Sequence, residues 1–244
     1  MKAGAVGALM SADSRLLWRD PLLGWMLLLP IALALLLRVL VPRVDIMLAA
    51  NDVAIAPYLP LIMGGYLMTA PGIAGMVTGF LLLDERDAHT LDALRVSPVS
   101  MRVYLAYRIT LPLLIGTTAA IAGYLLADIS PLPFRSLLVI ALVAAPSAPI
   151  IALVLATVAP NKVAGFALVK VLNGINLLPI AAFFLPLPLQ YLAGIFPTYW
   201  PMRALWSVAS GDHYGVQLVI GAIVGGGALI AAAWALDRRL LRHG

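Results

Sequence analysis

The sequence predicts an all-α membrane protein with six transmembrane helices, and three observations carry that prediction. The chain has 244 residues, of which 63% are hydrophobic and only 11% charged, and its mean hydropathy is +1.02. Soluble domains are about a quarter charged and less than half apolar, so the solvent for this much apolar surface has to be lipid. Six runs long enough to cross a bilayer are continuously apolar, without the alternation of a lipid-facing barrel strand.

A hydrocarbon core of about 30 Å takes about 20 apolar residues as a helix. The segments of that length are 22–41, 59–83, 105–126, 136–158, 164–185 and 216–236, within one membrane domain covering 1–244. Three of them hold no charge and the others hold one each: Arg38, Arg108 and Lys170. All three lie within about two turns of a predicted helix end, where long side chains snorkel to the headgroups. For Arg108 a second reading is a return to pair with Glu85 or Asp87, with headgroup contact as the default.

Ahead of the first span, residues 1–20 place Val6, Leu9, Met10, Leu16, Leu17 and Trp18 at helical spacing, interleaved with Lys2, Ser11, Ser14 and Arg15. This predicts an amphipathic helix in the inner interface, with a frayed tail as the alternative. Asp13 and Arg15 interrupt any signal-peptide core, so the segment is expected to stay on the mature protein. Pro71, Pro146 and Pro149 fall inside spans and predict kinks, either gating hinges or simple bends. Gly221-x-x-x-Gly225 predicts close helix packing. The stretch 186–215 is too apolar and aromatic for a free loop, and four prolines cut it short of a span. Two short helices in the outer leaflet, near 189–195 and 202–210, fit it best; a lid over the bundle is the alternative.

Six spans put both termini on one side. If that side is the cytoplasm, its loops and tails hold ten Lys and Arg residues, against three (Arg43, Arg135 and Arg203) on the other face. This is the positive-inside bias of a plasma-membrane protein. The same bias accounts for the net charge of +5 without a nucleic-acid partner.

Segment 84–103 then faces the cytoplasm. Seven ionisable residues (Asp84, Glu85, Arg86, Asp87, His89, Asp92 and Arg95) crowd into twelve positions, directly after 25 residues without a charge. The early acidic residues and Arg95 suit a short helix dipole, and Ser97-Pro98 stops the helix. Leu91 and Leu94 share one face of it, an arrangement suited to insertion into a partner's groove.

Glu85-Arg86, Thr90-Leu91, Leu94, Pro98 and Tyr104 follow the spacing E-R-x-x-G-T-L-x-x-L-x-x-x-P with a tyrosine at the next helix. In this the chain resembles type-2 ATP-binding-cassette (ABC) permeases, and within them the fluoroquinolone-exporter-like permeases, whose likeness extends to Pro197-Thr198-x-x-Pro201. His89 replaces the usual glycine. The resemblance implies that Asp84, Glu85, Arg86, His89, Thr90, Leu91, Leu94 and Pro98 couple the chain to a separate ATPase subunit. ATP and magnesium would be bound there and no cofactor by this chain, and a second permease copy or a relative would complete the pathway. Export of an amphipathic or hydrophobic compound is the function implied, from a bacterial inner membrane.

Other chemistry finds little support. The chain has no cysteine, its three histidines stand outside any H-E-x-x-H, and it lacks both G-x-S-x-G and the phosphate-cradling G-x-x-x-x-G-K-[ST]. Lys170, Asn173 and Asn176 on the fifth span either line a pathway or, respectively, snorkel and hold helices together. A secondary carrier or channel would need coupling charges inside the spans, and the carboxylates here read as confined to loops. A lipid-modifying enzyme would need clustered catalytic groups at one face.

Overall fold

The computed structural model describes residues 3–88 and 101–242, and these form helices and connecting turns, with no strand among them. Six helical stretches are long and apolar enough to span a membrane. The predicted coupling helix, with His89, Thr90, Leu91, Leu94 and Pro98, lies outside the described residues.

Helix α1 (Ala3–Arg19) runs into α2 (Pro21–Ala49) through Asp20. The Asp20 carboxylate caps α2 by accepting from the N–H of Leu22 (3.1 Å) and Leu23 (3.4 Å). Pro21 suits the first position, where its missing N–H would have had no partner. The helix continues to Ala49, eight residues past the predicted end of the apolar run at 41. Pro42 removes one hydrogen bond but does not end it, because hydropathy reports how much of a helix sits in lipid and not where its backbone bonding stops.

Helix α3 (Leu59–Asp87) is the axis of the bundle. Of its most apolar 18 residues 89% are buried, against 61% for the fourth span and 33% or less for the other four. Small residues bring its neighbours in: a Cβ on Gly75 would collide with the Ala148 carbonyl, and one on Gly79 would lie 2.6 Å from Leu155. Helix α4 (Met101–Ala127) packs beside it, and Gly116 meets the backbone of Pro71 there.

The fourth span is two helices, α5 (Phe134–Ala144) and α6 (Ser147–Val158), broken at the predicted proline pair. The freed backbone is re-satisfied locally: the Ala148 N–H donates to the Ala145 carbonyl (3.1 Å) and the Ser147 hydroxyl to the Ala144 carbonyl (2.6 Å). The fifth span is α7 (Lys162–Leu177) continued as a 3-10 turn (Leu178–Phe184), the tightening coinciding with Pro179.

The stretch before the last span forms α8 (Leu187–Gln190), a 3-10 turn (Tyr191–Ile195) and α9 (Tyr199–Ala209), close to the two expected helices. The first part leaves Leu192 and Ile195 exposed, whereas α9 is buried against α3, α5 and α10 (Gly215–Arg242), as in the lid alternative. Gly221 of α10 fits against Val143 and Trp200 with no room for a Cβ, the packing role expected of the glycine pair. The outward faces of α2, α7 and α10 stay apolar and exposed, as lipid or another chain would require.

Candidate functional site at the charged end of the bundle

The apolar run of α3 ends at the fully buried Leu83, and the next three residues are Asp84, Glu85 and Arg86. Successive helix residues point about 100° apart, so three neighbours can address three different elements. Here they do.

Asp84 meets Lys162 at the start of α7, with Nζ 3.0 Å from Oδ2. The same ammonium reaches Asp20 at the α1–α2 junction, 2.7 Å from Oδ2. The hydrogen bond from Lys162 holds the Asp20 carboxyl below its ordinary value, overcoming the partial burial that pushes the other way. Arg86 turns toward the end of α6. Its guanidinium donates to the carbonyls of Ala159 (2.9 Å) and Pro160 (2.7 Å), filling the role of a cation at a helix C-terminus.

Glu85 points inward and is 6% exposed. Its Oε2 accepts from the Tyr104 hydroxyl at 2.6 Å, and its Oε1 accepts from Nη2 of Arg108. Arg108 is fully buried, so the default headgroup contact expected for it is overturned and the pairing with Glu85 holds. Helical position showed how far Arg108 lies from the span end, and nothing about which way it faces.

Arg108 also grips Asp13 of α1 in a two-pronged pair, Nη1 to Oδ2 at 2.8 Å and Nη2 to Oδ1 at 2.9 Å. The Tyr107 hydroxyl donates to Asp13 Oδ2 at 2.7 Å. Both tyrosine rings flank the guanidinium, with centroids 5.4 Å from its carbon. Two carboxylates and one guanidinium thus share a water-excluded centre, and the phenol O–H groups supply the remaining donors.

In the sequence alone Asp13 stands out only as an interruption of the N-terminal apolar run. A signal was present, because Leu9, Asp13 and Leu16 stand at i, i+4 and i+7, so the carboxylate sits in the middle of the apolar stripe. A charge there needs a buried partner. Asp20, Tyr107 and Lys162 were also not singled out; each owes its role to a residue far away in the chain.

The family profile described as fluoroquinolones export permease protein Rv2686c-like matches residues 13–236, a span that includes every residue of this cluster. The chain belongs to that family. It is 33% identical over 239 residues to the fluoroquinolones export permease protein Rv2686c of Mycobacterium tuberculosis strain H37Rv, covering 96% of this chain and 93% of the relative. The fluoroquinolones export permease protein MT2760 of M. tuberculosis strain CDC 1551 matches with the same identity and coverage. No solved structure matches.

In this permease the three polar residues of the fifth span separate. Lys170 is exposed on α7, whereas Asn173 and Asn176 are half-buried. The Asn173 side-chain oxygen stands opposite Gly72 of α3, and the Asn176 backbone carbonyl accepts from the Thr198 hydroxyl (3.1 Å) at the foot of α9. Asn173 therefore borders the α3–α7 seam, Asn176 meets the foot of α9 through its backbone, and Lys170 joins neither.

Proposed function

We propose that this membrane permease is the transmembrane subunit of an ABC exporter for amphipathic, drug-like compounds. Fluoroquinolones are the class that the relatives' names suggest. ATP and magnesium would be handled by a separate ATPase subunit docked on segment 84–103. A second permease copy or a relative would cover the apolar faces, and both termini would lie in the cytoplasm of a bacterial inner membrane.

One observation supports this reading: Asp84, Glu85 and Arg86, which open the expected docking segment, each tie the end of α3 to a different part of the bundle. A push on that segment would reach α1 through Arg108 and Asp13, α7 through Lys162 and the end of α6 through Arg86. The tight α3–α6 crossing at Gly75 would carry it along the central helix without slack. Coexpression with candidate ATPases tests the subunit assignment: a stable complex that depends on Leu91 and Leu94 is the expected result, and transport that proceeds without any ATPase is the contrary one.

A second reading has one observation in its favour. The carboxylates of Asp13 and Glu85, expected in the interfacial helix and the cytoplasmic segment, are buried at the end of the spans, and buried carboxylates are the usual elements of proton-coupled carriers. Uptake driven by a pH gradient in vesicles lacking ATP would support the carrier, and uptake that follows ATP alone would dismiss it.

A further inference from the structure

At the end of the bundle opposite Asp84, α9 carries hydrogen-bond donors with nothing to donate to. Tyr199, Arg203 and Trp206 stand at i, i+4 and i+7, on one face of the helix. Tyr199 is 0% and Trp206 3% exposed, and Arg203 is half-buried. The Tyr199 hydroxyl, Arg203 Nε and Trp206 Nε1 are all buried; the Arg203 side chain lies beside the Tyr199 hydroxyl, and none of the three atoms makes a well-formed hydrogen bond among the described residues. Trp200, a quarter-turn away on the same helix, shows the ordinary outcome: its indole donates to the Gly194 carbonyl at 2.8 Å.

A buried donor left unmade is costly, and native structures rarely keep several together. The arrangement is also one-sided in charge and shape. A guanidinium beside a phenol and an indole N–H suits an anionic acceptor with more than one oxygen. The walls are aromatic, with Phe183 edge-on to Trp206 at 5.0 Å and Tyr199 edge-on at 6.4 Å. Trp206 Nε1 lies over α3 at Gly64, where a Cβ would stand only 3.0 Å away. Gln217, which has an unpaired side-chain oxygen of its own, is engaged by its nitrogen with Ser207, on the neighbouring part of α9.

We propose that Tyr199, Arg203 and Trp206 form a binding site for a planar aromatic carboxylate, reached when α9 separates from α3. This rests on the export reading above, since it names the substrate class of that transport. In the present conformation the three atoms are closed off from water. The carboxylate would take the donors, and the rings would stack against its aromatic body.

The test uses the full chain in lipid nanodiscs, with the fluoroquinolone norfloxacin, an aromatic carboxylic acid, and its decarboxylated analogue as probes in equilibrium dialysis. The acid is expected to bind at least about tenfold more tightly than the analogue. Tyr199→Phe, Arg203→Gln and Trp206→Phe, each checked for folding by thermal melt, are expected to erase that preference while leaving analogue binding in place. Equal binding of acid and analogue by the natural chain, no binding of the acid, or an undiminished preference in every folded variant would overturn the site. Transport is scored separately. Export that survives with the site refuted leaves the export reading standing, and a carboxylate preference without any export removes that reading and keeps the site.

Discussion

The two ends of the bundle treat buried polar groups in opposite ways. At the charged end, both oxygens of Asp13 and Glu85 and both terminal nitrogens of Arg108 are paired, and in this cluster Arg108 Nε alone lacks a partner among the described residues. At the other end, α9 leaves three donors on one face unmatched. Full pairing in a water-excluded site rigidifies, because any displacement strands a charge. Unmatched donors do the reverse, lowering the cost of moving α9 away from α3. Under the proposed function, the first end is suited to transmitting force and the second to moving when a ligand binds.

The largest expected effect breaks the first end. Arg108→Met strands two buried carboxylates and is expected to cost about 3–5 kcal/mol, read as a lowered melting temperature in detergent. Adding Asp13→Asn and Glu85→Gln removes the stranded charge and should recover part of the loss; no recovery would mean that Arg108 acts by packing. Next comes the central crossing. Gly75→Val drives a methyl-bearing side chain into the Ala148 carbonyl and is expected to cost about 1–3 kcal/mol, with thermal stability again the readout. Tyr104→Phe deletes a single hydrogen bond to a charged group and should cost about 1.5–3 kcal/mol, less than the loss of Arg108.

The smallest effect concerns the Lys162 bridge. Because the folded-state value of Asp20 lies below its ordinary 3.8, its contribution is complete above that pH and is lost as pH falls through the lowered value. Asp20→Asn should therefore lower stability slightly at neutrality, where the carboxylate contributes in full, and flatten the acid limb below about pH 4, where the natural chain loses that contribution. A natural chain whose stability is level from neutrality down to strong acid would contradict the assignment.

Much of this comparison was hidden in the sequence for physical reasons. The six spans were legible because lipid demands an apolar run, and the break in the fourth because two prolines lack the N–H the helix needs. The interior polar pairs were not, since Arg108 meets Asp13 across 95 residues and Glu85 across 23. No local period encodes such a distance. Asp13 was recoverable from its place in the apolar stripe of α1, and Arg108 would then have had a reason to turn inward. The orphaned donors of α9 were out of reach, because a missing partner is visible only once all neighbours are placed. Leu91 and Leu94, central to the docking expectation, fall outside the described residues and remain a sequence-derived proposal.

The central claim is that the end of α3 passes force from the docked ATPase to the bundle through Glu85 and Arg108. Its most direct test is the amount of drug moved per ATP hydrolysed, measured in proteoliposomes holding the permease and the ATPase that co-purifies with it, with Glu85→Gln beside the natural chain. The account predicts that the variant folds, binds the ATPase and hydrolyses ATP, while transport per ATP falls by about tenfold, the equivalent of about 1.4 kcal/mol of lost coupling. An unchanged ratio in a folded, docked variant would contradict it.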